Sequence, residues 1–201
     1  MSDWVTNEYG TIGQSGMENN ALIIDNYFTA AGWSKTAISA ILGNMQPESG
    51  INPVRWENDN VGNTLGGFGL VQWTPATKLI TWVVEQFDGG YLPSDDYKDG
   101  YTQLDRIKYE VDNGLQYSPS ALFKESFREW TISDKNPGYL AAAFMKNYER
   151  PGNQSWKVQI QRAKNARQWH IFLTGEDPGV WIPPGLLALI KKSNDKHKGV
   201  F

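Results

Sequence analysis

Apolar residues return at every third or fourth position through most of this chain, the period of helices that bury one face. Between Met17 and Ala31, Leu22, Ile23, Tyr27 and Phe28 follow that period, and Gly32 interrupts it. Ser34 is then placed to open a second helix, because a serine at the N-cap satisfies one of the first unpaired backbone N–H groups. Ala37, Ile38, Ile41, Leu42 and Met45 form its apolar stripe. Pro47 disfavours the α conformation at Gln46. The pattern therefore predicts that this helix ends there and leaves Glu48 just past the end of a buried helix.

From Asn52 to Gly69 the chain is rich in Asn, Asp and Gly, which predicts turns. The run Phe68–Trp73, bounded by Gly67 and Pro75, is the one strand expected. Helices are predicted over Pro75–Phe87, Thr102–Asp112, Pro119–Trp130, Pro137–Tyr148 and Trp156–Leu173, with a turn-rich connection between Asp88 and Gly100. Gly175 to Pro184 reads as a Pro/Gly-rich linker. It leads to a tail with Lys191, Lys192, Lys196 and Lys198, expected to be solvated. The expected organisation is a polar lead over 1–16, one domain over 17–174, and a linker and basic tail over 175–201.

Composition narrows the chemistry. The 201 residues are 40% hydrophobic and 20% charged, the profile of a globular domain able to bury a core. There is no cysteine, which rules out disulfides, thiolate zinc sites and a cysteine nucleophile. His170 and His197 are far apart in sequence, so no metal or organic cofactor is expected, and catalysis would fall to carboxylates, hydroxyls and amides. A net charge of -3 and a pI of about 5.4 argue against a nucleic-acid partner. No apolar run approaches the roughly 18 residues of a membrane helix, so no membrane partner is expected. Residues 1–16 lack the basic start and apolar stretch of a secretory signal. A target outside the producing cell would then require another route of delivery.

Two blocks concentrate the chemical signal: Gly43-Asn44-Met45-Gln46-Pro47-Glu48-Ser49-Gly50-Ile51-Asn52-Pro53 and Gly66-Gly67-Phe68-Gly69-Leu70-Val71-Gln72-Trp73. A carboxyl at the end of an apolar helix, facing a turn-rich segment, sits where partial burial can keep it protonated near neutrality. A general acid needs that property. Taken alone, a glutamate after a helix is more often a solvated surface charge. However, Glu48-Ser49 and Ile51-Asn52-Pro53, with Gly69-Leu70-Val71-Gln72 downstream, resemble the signature shared by goose-type lysozymes and soluble lytic transglycosylases. The longer match from Gly43 to Asn58 and from Gly69 to Pro75, joined by Tyr148-Glu149-Arg150-Pro151, resembles the phage tail lysozymes more closely. It spans roughly Asn19 to Leu173.

The resemblance implies an α+β, mainly helical fold: a lysozyme-like two-lobed domain with a small β region and a cleft between the lobes. It implies Glu48 as catalytic acid, with Gln72 and Tyr148 lining the cleft. The reaction implied is muramidase cleavage of the β-1,4 bond between N-acetylmuramic acid and N-acetylglucosamine in peptidoglycan. The implied setting is a phage tail that opens the wall for DNA. The acidic pI runs against the basic character that an anionic wall would favour. A second catalytic carboxyl would lie about 5 to 9.5 Å from the acid; Glu57 and Asp59 are candidates, and Thr64 could hold a water instead. For each, turn capping is the competing role. Trp56 and Trp73 could stack on sugars or simply pack, as most of the 9 Trp, 9 Tyr and 8 Phe do. Glu149, beside Arg150, fits either a structural ion pair or recognition of an N-acetyl group. Four alternatives stay open: lytic transglycosylation of the same bond, a non-cutting glycan-binding or structural tail module, chitinase-like cleavage, and an endolysin acting from the host cytoplasm. The partners expected are peptidoglycan glycan strands and other phage tail proteins.

Overall fold

A computed structural model describes residues 3–87 and 95–188. Within them the chain is mainly helical: α1 (Gly13–Ala30), α2 (Lys35–Ser49), α3 (Thr77–Phe87), α4 (Gly100–Asp112), α5 (Phe127–Thr131), α6 (Pro137–Phe144) and α7 (Trp156–Thr174). The core is built on α2, which packs on α1, α6 and α7. Its residues Ala37 to Met45 are all buried. Ser34 caps it as predicted, accepting from the Ala37 N–H at 3.1 Å. Asn44 ties α2 to α6 by donating to the Ala141 carbonyl at 3.1 Å.

The proline does not end α2. Pro47 lies inside it, and the helix runs on to Ser49 before Gly50 closes it in the left-handed region at φ 65°. A proline removes the N–H that would bond the carbonyl four residues back, here that of Gly43. Helix α7 makes up the loss: Asn165 Nδ2 approaches the Gly43 carbonyl at 3.4 Å, Arg162 Nη1 donates to the Asn44 carbonyl at 2.6 Å, and Trp169 Nε1 donates to Gln46 Oε1 at 3.0 Å. Tertiary contacts thus override the local preference at Gln46. As a result Glu48 sits in the last turn of α2 and not beyond it.

The strand expected over Phe68–Trp73 is also absent. Phe68 and Trp73 pair with each other as an isolated bridge, and Phe68 pairs with Trp56. Gly69 at φ 81° and Gln72 at φ 52° fold the intervening residues into a tight turn. Gly69 is required there twice over, because a Cβ would also lie 2.6 Å from Gln103 Oε1. The β content is therefore smaller than an α+β reading implies.

The helix expected over Pro119–Trp130 shrinks to α5. Ser126 and Glu129 form a capping box that starts it late. The preceding backbone is held by Asn147, whose carbonyl accepts from the Ser118 N–H at 2.9 Å and whose Nδ2 donates to the Phe123 carbonyl at 2.9 Å. The helix predicted to reach Tyr148 changes character after Phe144. Met145–Glu149 forms a wider turn, closed by the Arg150 N–H on the Met145 carbonyl at 2.8 Å. Such π-type turns recur at functional sites.

Of the connection predicted between Asp88 and Gly100, residues 88–94 lie outside the described residues, and Asp95–Lys98 is a 3-10 turn. The lysines of the tail lie outside them too. At the start of the chain, the Val5 N–H donates to Asn20 Oδ1 at 2.9 Å and Trp4 lies against Gly100. After α7, Asn136 Nδ2 holds the Pro178 carbonyl at 2.8 Å and Trp181 packs on the core.

Helices α2 and α7 approach closely at Gly43. A Cβ on Gly43 would lie 2.6 Å from the Ala166 backbone nitrogen. Gly43→Ala should therefore push the two helices apart and cost about 1–3 kcal/mol, read as a fall in melting temperature of several degrees. An unchanged melting temperature would mean that the two helices can separate freely.

Candidate active site

The end of α2, the turns between Arg55 and Thr74, the start of α3 and the π-type turn enclose a cavity of about 430 Å³. Its size falls in the range of small-molecule sites. Glu48, Trp56, Glu57, Gln72, Trp73, Tyr148 and Glu149 all line it. Asp59 and Thr64 do not. Asp59 is half exposed and pairs with Arg55 at 2.6 Å, and Thr64 is exposed to solvent.

Two side chains explain how the blocks on either side of the cavity meet. Ser49 Oγ, next to Glu48, donates to the Leu70 carbonyl at 2.9 Å. Gln103 accepts from the Leu70 N–H at 2.9 Å and donates to the Pro53 carbonyl at 2.7 Å. The turn carrying Gln72 is thereby pinned to the helix end carrying Glu48. Gln72 Nε2 is itself held by the Arg55 and Gly69 carbonyls at 3.0 and 3.1 Å. Glu57 Oε2 accepts from the Gly67 N–H at 2.8 Å, so part of this carboxylate is engaged in fixing the wall.

Tyr148 is a buried part of the wall. Its hydroxyl donates to Glu110 Oε2 at 2.5 Å, while Trp73 Nε1 and Arg106 Nε reach Glu110 Oε1 at 3.1 and 2.9 Å. Burial pushes the Glu110 carboxyl up, against the pull of Tyr148, Arg106 and Trp73. The network joins α4, the Trp73 turn and the π-type turn through one carboxylate. Trp56 and Trp73 are only 2% and 3% exposed. Trp56 packs its ring on Phe68 at 4.4 Å, so both indoles serve chiefly as wall supports.

The charged centre is a trio. Arg162, from α7, is buried and donates from Nη2 to Glu48 Oε1. The same nitrogen lies 3.4 Å from Glu149 Oε2. Glu48 keeps 23% of its side chain exposed and Glu149 only 5%. Both Glu149 oxygens are buried without a hydrogen-bond partner. Burial, opposed by Arg162 and reinforced by Glu48, raises the Glu149 carboxyl from the ordinary 4.5 to about 8. An ionised carboxylate lacking hydrogen bonds is costly to bury, and protonation is the cheaper state.

Sequence reasoning missed Arg162 and Glu110. Each had a signal. The buried face of α7 carries Gln159, Arg162, Ala163, Ala166, Trp169 and His170 at helical spacing, so Arg162 lies on the stripe that faces the core. Glu110 stands on the stripe of α4 formed by Gln103, Leu104, Ile107 and Val111. A charge on a buried stripe needs a partner.

The family model for phage tail lysozymes matches residues 19–173. Among curated proteins the chain is 45% identical over 189 residues to morphogenesis protein 1 of Bacillus phage B103. That match takes in 91% of this chain and 48% of the relative, so the chain spans about half the relative's length.

The state of Glu149 has a thermodynamic consequence. Unfolded, it releases its proton near 4.5; folded, it holds the proton to about 8. Its contribution to stability is full below the lower value and is lost as pH rises through the upper one. Glu149→Gln cannot ionise, so relative to its parent it should gain stability between about pH 5 and about pH 9. Thermal unfolding at both pH values checks this. A difference between the two proteins that does not vary with pH would contradict it.

Proposed function

The chain belongs to the phage tail lysozyme family, and from that premise we propose that its cavity is the active site of a muramidase cleaving the β-1,4 bond between N-acetylmuramic acid and N-acetylglucosamine in peptidoglycan. The observation carrying this reading is the carboxyl pair. Glu48 and Glu149 contact the same Arg162 nitrogen, so their nearest oxygens are no more than about 6 Å apart. Glycosidases set two neighbouring carboxyls to different protonation states by giving them different environments, and here one of the pair is partly exposed and the other buried.

Glu48 is the more exposed of the two and is the group that reaches substrate. It protonates the glycosidic oxygen as the bond breaks, a contribution of about two to four powers of ten in rate. Gln72 meets the sugar from the opposite wall, and Tyr148 acts from within the wall by holding Glu110 and the Trp73 turn in place. The second carboxyl at the bond is Glu57, which lines the cavity, while Glu149 is the buried partner of Glu48. Attack by water makes the enzyme a hydrolase. A lytic transglycosylase would instead close the ring with the sugar's own 6-hydroxyl, using Glu48 first as acid and then as base. Glu57 favours that second route to the extent that its carboxylate is engaged by the Gly67 N–H.

The proposed setting is a phage tail, where the enzyme opens the wall locally for DNA. Among the described residues no helix is long and apolar enough to cross a membrane.

Purified peptidoglycan treated with the parent protein should release soluble muropeptides with reducing ends. Glu48→Gln should release them at least about 100-fold more slowly. Fragments lighter by one water would identify a transglycosylase, and cleavage of soluble chitin oligomers alone would identify a chitinase-like enzyme. Cutting by Glu48→Gln at the parental rate would remove Glu48 from the mechanism.

A further inference from the structure

Arg162 faces two carboxyls with one positive charge. It donates to Glu48 from Nη2 and reaches Glu149 only at 3.4 Å with that nitrogen, while Nη1 is committed to the Asn44 carbonyl at 2.6 Å. Glu149 receives no hydrogen bond at either oxygen. The other charges around it do not supply one. On its own turn, Arg150 donates to the Gln116 carbonyl at 3.0 Å. Tyr148 is committed to Glu110. Elsewhere on the cavity lining, Arg55 is paired with Asp59, Glu57 accepts from the Gly67 N–H, and Lys78 makes no hydrogen bond to Glu149. One cation can neutralise one carboxylate, so the trio is balanced when it holds a single proton.

We propose that Glu149 stores the proton that Glu48 delivers, the two carboxyls sharing one proton around the Arg162 guanidinium. The inference deepens the muramidase reading and rests on it for the identity of the proton's final acceptor. In the resting site Glu149 carries the proton and Glu48 is the ionised partner of Arg162. When substrate displaces water from Glu48, its charge loses solvation. The O–H bond on Glu149 breaks, one forms on Glu48, and Arg162 changes partner from Glu48 to Glu149. The net charge of the trio does not change. Glu48 then passes the proton to the glycosidic oxygen, and the attacking water returns one to the pair. With its oxygens buried, Glu149 does not touch substrate; it is a positioning residue that acts through Glu48.

The test is carbon-13 NMR of protein labelled at the glutamate carboxyls, titrated from about pH 3 to about pH 10 in the parent and in Glu48→Gln. In the parent, the Glu149 resonance should titrate well above the ordinary carboxylate range. In Glu48→Gln it should titrate lower by about one pH unit or more, the coupling expected of carboxyls that share a site. Glu48 is partly exposed, so this variant spares the buried member of the pair. As a second readout, Glu149→Gln should move the alkaline limb of the rate–pH profile on peptidoglycan to lower pH, which a purely structural defect would not do. Ordinary titration of Glu149 in the parent, or a midpoint unmoved by Glu48→Gln, would overturn the shared proton. A coupled titration in a parent protein that releases no wall fragments would support the shared proton while overturning the muramidase reading.

Discussion

The close packing of α2 on α7 is the constraint from which the rest of the site follows. Gly43 has no Cβ, so the Ala166 backbone can come near enough for Arg162 and Asn165 to reach carbonyls in the second half of α2. Those carbonyls sit around Pro47, where a helix would otherwise fray. Because α7 holds them, α2 continues for one more turn and carries Glu48 to the cavity wall. The guanidinium that stabilises the helix end is also the one that pairs with Glu48. Support of the fold and electrostatics of the site are thus joined in one side chain, and a volume error at Gly43 would be felt at the carboxyls.

Around that centre several side chains gather the backbone and the rings of the wall. Ser49 and Gln103 take the backbone of the Leu70 turn, and Glu110 gathers Tyr148, Trp73 and Arg106. Glu149 differs in being a carboxyl with both oxygens buried and unbonded. A natural core keeps few such groups, and each calls for an explanation. In a glycosidase an unpaired buried carboxyl beside a more exposed one offers a physical account: the pair holds different protonation states because its environments differ.

Much of the helical layout was legible in the sequence, because α1, α2, α4 and α7 follow a 3.6-residue period; α1 nevertheless starts at Gly13, inside the expected polar lead, where no capping side chain marks its beginning. What misled were residues whose local preference is overruled from a distance. Pro47 reads as a helix end until Asn165, Arg162 and Trp169 are placed against it. Phe68–Trp73 reads as a strand until Gly69 and Gln72 are seen at positive φ. The Pro119–Trp130 segment has helical composition, yet Asn147, more than 20 residues later, takes its backbone bonds. The Glu48-Ser49 and Gly69–Gln72 blocks stood out in the sequence by resemblance to known families. The physical link between them, Ser49 on the Leu70 carbonyl, did not. Arg162 and Glu110 escaped notice because a charge on a helix is by default assigned to solvent; only a strict count of the buried stripe would have picked them out.

The central claim, that the cavity between Glu48 and Gln72 receives a glycan strand, is tested most directly by a crystal structure of the Glu48→Gln protein with a peptidoglycan tetrasaccharide. The account predicts the sugar in that cavity, with a glycosidic oxygen at about 3 Å from the residue 48 side chain and the ring facing Gln72. A tetrasaccharide bound on another face, with the cavity beside Arg162 and Glu149 left without sugar, would contradict it.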